Sequence, residues 1–139
     1  MSHATDSLES AIGNALFLGS PFPTITQWTV HLFTSLPGEG GSGGNEVPIN
    51  GTNGYQPVRH DPSPEHWMKD DSQQSGTTVY RNKLPVQFPA ALAHWGTING
   101  FGLKDQNGQL RYIAPTNTRS VPAGEQPVFL SGELVFTIG

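Results

Sequence analysis

Histidines and carboxylates are the side chains best suited to chemistry here, and their densest grouping is His60, Asp61, Glu65 and His66. Two imidazoles and a carboxylate can hold zinc or another transition metal. Pro62 and Pro64 break this segment, however, and no spacing such as His-Glu-x-x-His sets the ligands on one helical face. The group reads as a solvated loop, and no metal is expected. The cluster Gly40-Gly41-Ser42-Gly43-Gly44 lacks the Gly-Lys-Ser/Thr ending and the strand–loop–helix frame of a phosphate loop. Gly41-Ser42-Gly43 also falls short of the strained Gly-x-Ser-x-Gly turn that presents a serine nucleophile. A glycosidase needs two carboxylates at a fixed separation. Glu39, Glu46, Asp61, Glu65, Asp70, Asp71, Asp105, Glu125 and Glu133 show no pairing motif, and nearly all fall in segments that read as loops or turns. Catalytic positioning to about half an ångström is difficult there. No catalytic residue and no cofactor are expected, and the chain reads as a non-enzyme.

The composition agrees with that reading. Of 139 residues, 13% are charged, against about a quarter in typical soluble proteins, so Ser, Thr, Asn, Gln, Gly and Pro must carry the surface. A net charge of −4 offers no basic field for phosphates, and nucleic acid is not an expected partner. The absence of cysteine excludes disulfides, thiolate zinc sites and a cysteine nucleophile together. No apolar run approaches the roughly 20 residues of a membrane span, and the first residues lack the basic start and apolar run of a signal peptide. Synthesis and folding in a cytoplasm, without a membrane partner, are expected. The sequon Asn50-Gly51-Thr52 reads as accidental.

The elements that must position any functional surface follow from periodicity. Leu8, Ala11, Ile12, Ala15 and Leu16 recur at helical spacing between Thr5 and Leu18, with Thr5 or Asp6 as N-cap, and Gly19, Pro21 and Pro23 end the helix. The period then becomes two. Trp28, Val30, Leu32 and Thr34 share one face of a strand and Thr29, His31 and Phe33 the other, and large residues on both faces predict a central strand. Residues 37–53 and 61–77 read as long loops, the first flexible and glycine-rich, the second polar and proline-punctuated. A short strand is expected over Tyr55–His60, and β-like runs over 78–81, 86–88, 97–104, 110–113 and 128–138. Asp105-Gln106-Asn107-Gly108 signals a hairpin and Pro122-Ala123-Gly124 a turn. The fold expected is mainly β: one domain over 1–139, an antiparallel sandwich or barrel with a short helical segment in residues 1–20 and long glycine- and proline-rich loops.

Trp28 and Trp95 are assigned to packing. Trp67, beside Met68 in a polar loop, can plug the loop onto the body or anchor a partner. The residues expected to contact partners are Trp67, Met68, Tyr55, Gly41, Ser42, Gly43 and Asn45.

The order of features resembles small virion proteins of tailed bacteriophages, labelled tail-fibre-like or minor structural proteins. It is carried by the helix with Leu8, Ile12 and Leu16, by Val30-His31-Leu32-Phe33-Thr34 with Pro37 and the glycines, and by Gly54-Tyr55-Gln56-Pro57-Val58. Trp95-Gly96-Thr97-Ile98, Phe101-Gly102-Leu103-Lys104-Asp105 and Gly132-Glu133-Leu134-Val135-Phe136 continue it. The resemblance implies a β-rich virion protein without enzymatic role. Small size, low charge and the glycine-rich loop then make capsid decoration the expected function: a cement protein that binds the major capsid protein or other virion proteins as a symmetric homo-oligomer. The alternative is a tail- or fibre-associated adaptor or receptor-contacting module, for which a glycan would be the receptor.

Overall fold

A computed structural model describes residues 3–72 and 78–138. In chain order the elements are β1 (His3–Ala4), α1 (Asp6–Phe17), β2 (Thr29–Ser35), β3 (Asn45–Glu46), β4 (Val58–Arg59), β5 (Trp67–Asp70), β6 (Thr78–Asn82), β7 (Val86–Gln87), β8 (Gly96–Lys104), β9 (Leu110–Val121), β10 (Val128–Phe129) and β11 (Val135–Ile138). All described strand pairs are antiparallel.

The main sheet grows from the β8–β9 hairpin, whose turn is organised by one carboxylate. Asp105 Oδ1 accepts the N–H groups of Asn107 and Gln109 at 2.9 and 3.0 Å, and Oδ2 accepts from Arg111 Nε at 2.9 Å. Gly108 supplies the positive φ, +76°, that the turn requires. Burial alone would raise the pKa of Asp105, but Arg111 and the two backbone donors outweigh it and hold it below the usual range. β2 lies against β8, with β3 and β4 on its far side, and β1 closes the other edge against β9. The central position expected for β2 is therefore correct, and both of its faces are covered. Val30 and Leu32 enter the core, while His31 and Phe33 are buried on the opposite face. There β8 is kept bare by Gly100 and Gly102, where a Cβ would meet Leu36 at 2.5 Å and Leu110 at 2.8 Å.

A second layer covers the Val30 face. It consists of the three-stranded sheet β5-β6-β11 and the ribbon β7-β10. Phe136 of β11 meets Phe101 of β8 and Tyr112 of β9 at ring separations of 5.3 and 5.0 Å, and Phe129 of β10 meets Phe101 at 6.0 Å. One aromatic cluster thus joins both parts of the second layer to the first. The result is the expected antiparallel, mainly β fold in two layers.

α1 matches the expected helix, with Thr5 as N-cap residue. The Thr5 hydroxyl donates to the Leu110 carbonyl at 2.8 Å rather than capping a helical N–H. At the other end the Ser20 N–H reaches back to Asn14 O at 3.2 Å as Gly19 turns to φ +69°. No residue of α1 is buried.

Four expectations need correction. Residues 37–53 are not one flexible loop: β3 pairs with β2, Val47 is fully buried, and Gly38 N and Asp6 N donate to Ser42 O and Glu39 O at 3.0 and 2.8 Å. Glycine removes side chains from such a segment but leaves its backbone donors and acceptors able to pair. At Gly44 it is obligatory, because φ is +69° and a Cβ would lie 2.4 Å from Pro37 N. The loop expected at 61–77 contains edge strand β5, paired with β6, and its part over 73–77 lies outside the described residues. The strand expected over Tyr55–His60 shrinks to β4, and the run 128–138 is cut at Gly132, φ +85°, into strands of different sheets.

Candidate functional site

Three surface features are built well enough to act on a partner. The first is an aromatic groove of about 320 Å³ at the edge of the second layer, walled by Leu8, Trp28, Trp67, Tyr80, Tyr112 and Ile138 among others, with no charged side chain in its lining. Trp67 is held edge-on to Phe136 at 5.2 Å and to His60 at 5.0 Å, and its indole N–H donates to His60 O at 3.1 Å. The His60 ring lies 4.6 Å from that of His66, and His60 Nε2 lies 3.0 Å from His66 O. Burial lowers the His60 pKa, favouring the neutral ring that donates this bond. His66 Nδ1 is engaged by Asp61 O and Ser63 Oγ, both at 2.9 Å, and Asp61 pairs with Arg59. These groups brace Trp67 from behind. Among the described residues no three His, Asp or Glu side chains come together as metal ligands.

The second feature is an apolar arm. Leu16, Phe17 and Leu18 are 71, 84 and 74% exposed, and Phe22 and Ile12 are also exposed. Among the described residues, α1 is fixed to the body at its root, through Leu8 and through Arg111, whose guanidinium donates to Ser7 O at 3.1 Å. The sequence holds a signal for this arm: no Asp, Glu, Lys or Arg occurs between Glu9 and Glu39.

The third is a cleft of about 580 Å³ between the layers, floored by Leu32, Ile98, Phe101 and Phe129. Its rim is a bulge in β9. Ile98 faces Arg119 and Gly100 faces Pro115, so Thr116, Asn117 and Thr118 together oppose Asn99. Asn99 pins the bulge, accepting from Thr118 Oγ1 at 3.0 Å and donating to Thr34 O at 2.7 Å.

The residues expected to contact partners do not form one site. Trp67 lines the groove and the neighbouring Met68 is on the surface, while Gly41 and Gly43 border a separate shallow hollow beside Lys104 and Asn107. Ser42 and Asn45 are exposed, Asn45 donating to Ser35 Oγ at 3.4 Å. Tyr55 is wholly buried and cannot meet a partner. Its phenol donates to Glu46 Oε2 at 2.8 Å and accepts from Leu32 N at 2.9 Å, and burial beside that carboxylate pushes its pKa up. Trp95 packs at right angles on Tyr55, ring centres 5.3 Å apart, as its packing assignment requires. Trp28 is half-buried against the core, as its packing assignment requires, and also lines the groove. The arm was missed as a surface feature because hydrophobicity alone does not say which apolar residues stay uncovered.

Comparison with protein families matches residues 3–137 to the family described as podophage GP4 fiber I protein gp80. The chain belongs to that family. The match to this podophage fibre family runs from β1 into β11 and so takes in both layers, the arm, the groove and the cleft. It agrees with the phage virion structural protein expected from the resemblance. No curated protein matches the chain. Among the described residues no helix is long and apolar enough to cross a membrane.

Proposed function

We propose that this member of the fibre family is a non-enzymatic structural subunit of a phage fibre or of its attachment to the virion, held there by protein–protein contacts. The family match carries this reading, and its description favours the fibre alternative over capsid decoration. The exposed Leu16, Phe17 and Leu18 support it, because apolar side chains clustered on one projection mark interaction surfaces. The titratable clusters also fit a non-catalytic part: His31–Glu46, His60–His66 and Asp105–Arg111 all have their bonding directed into the fold. Cryo-electron microscopy of intact particles with copy counting tests this. A small, fixed number of copies at a fibre position is the expected result. Hundreds of copies spread over the shell would restore the decoration reading.

Receptor contact by the same subunit is favoured by the inter-layer cleft. An apolar floor beneath the amide of Asn117 and the hydroxyls of Thr116 and Thr118 suits a neutral, hydroxyl-rich ligand such as a host saccharide. Titration with host surface polysaccharide should shift the Asn117 side-chain amide resonance. Absence of any shift at saturating saccharide would remove the receptor role and leave the adaptor.

A further inference from the structure

We propose that the α1 arm of one copy seats its Leu16 and Phe17 side chains in the aromatic groove of a second copy of this chain. A twelve-residue helix is at the lower limit of independent stability in water, and helices in proteins owe most of their stability to packing of their apolar face. α1 has no fully buried residue and packs on the core only through Leu8, so its apolar face toward Leu16 and Phe17 lacks that support. The groove is the complementary part. Its walls are aromatic and aliphatic, and no charged side chain lies in its lining or, beyond Glu9 near the root, on the part of the arm that carries the tip. The two surfaces can therefore meet without desolvating a charge. A volume near 320 Å³ suits one or two large side chains rather than a whole helix.

The arm's own groove is not available to its tip. Leu8, at the root, forms part of the wall, and a straight helix carries Leu16 roughly 12 Å onward at 1.5 Å per residue. The exposure of Leu16 and Phe17 records the same separation. The inter-layer cleft is a poorer seat, because Arg119 and Glu133 on its lining would face an apolar tip. A second copy carries both halves of the contact in equal number. The joint is head-to-tail, so copies propagate into a ring or a chain unless two arms exchange across a two-fold axis.

The test uses the full chain, with mass measured by light scattering after size exclusion over a range of concentrations. Wild-type protein is expected at a multiple of 14.9 kDa. The double variant Leu16→Ser/Phe17→Ser removes the knob, and Ile138→Glu, at a half-exposed position, places a charge in the hole. Each should be monomeric at concentrations where wild type is assembled. An equimolar mixture of the two should form heterodimers, since one intact arm then meets one intact groove. Circular dichroism confirms that each variant is folded, and Tyr80→Glu replaces Ile138→Glu if that protein is not. A monomeric wild type, an assembly that survives the arm substitutions, or folded variants that do not pair when mixed would each overturn the proposal. So would a wild type that stays monomeric alone and uses the arm on a different virion protein.

Discussion

Phe101→Ala should lower the stability of the protein by about 3–5 kcal/mol, the range observed when a large aromatic side chain is deleted from a close-packed core. Phe101 is 2% exposed and touches Phe129 of the ribbon and Phe136 of the three-stranded sheet. Its ring is thus shared by the two separate parts of the second layer. Neither part can close the resulting cavity without leaving its other contacts, Phe88 for the ribbon and Tyr112 for the sheet. Denaturant unfolding followed by circular dichroism measures the change. A loss below about 1 kcal/mol would show that the layers are held together elsewhere.

Glu46→Ala should have a comparable effect, about 3–5 kcal/mol, because it removes one partner from a largely buried charged network. Glu46 Oε2 meets His31 Nδ1 at 2.7 Å and the Tyr55 hydroxyl at 2.8 Å, and Lys104 Nζ lies 3.6 Å from Oε1. The substitution leaves a buried imidazole and a buried phenol without their acceptor. Burial alone would raise the Glu46 pKa, but the bond and charge of His31, with Tyr55 and Lys104, outweigh it and hold the pKa below the ordinary value. On acidification the unfolded chain therefore takes up this proton first. The stabilisation is complete above the ordinary glutamate pKa, about 4.3, and is lost as pH falls through the lower folded value. Unfolding midpoints measured against pH for wild type and variant should converge as the solution becomes acid. Parallel curves down to pH 2 would show that the carboxylate contributes no charge-dependent stability.

Local signals in the sequence carried the parts of the fold that local physics decides. Apolar spacing in α1 and the two-residue period of β2 set those elements, and Asp105 to Gly108 set the hairpin, since each depends on neighbours within a few residues. β5 was hidden because it is short, lies at a sheet edge and includes Lys69 and Asp70, which suit a solvent-facing edge but give no alternating pattern. Tyr55 was misplaced for a different reason. Its surroundings in sequence are Gly, Asn, Gln and Pro, while its burial comes from Leu32, Glu46, Phe88 and Trp95, which reach it only through the tertiary fold. The groove is legible least of all. It needs α1, β5, β6, β9 and β11 in place at once, and Trp67 was the one wall residue whose isolation in a polar segment singled it out.

The pairing order of the main sheet also governs how the chain can assemble in time. The β8–β9 hairpin closes a short loop, but β2 must wait for β8, Thr29 pairing with Lys104, and β1 for β9, His3 pairing with Ile113. Such sequence-distant pairings are slow to form. On the ribosome α1 and its Leu16-Phe17-Leu18 tip emerge well before β8 and β9, so the root of the helix has no sheet to pack on until those strands have been made. The nascent chain therefore passes through a long interval as a sticky, half-built sheet, when premature association competes with folding. Yield during expression should then depend more on translation rate and holding chaperones than on the stability of the finished molecule.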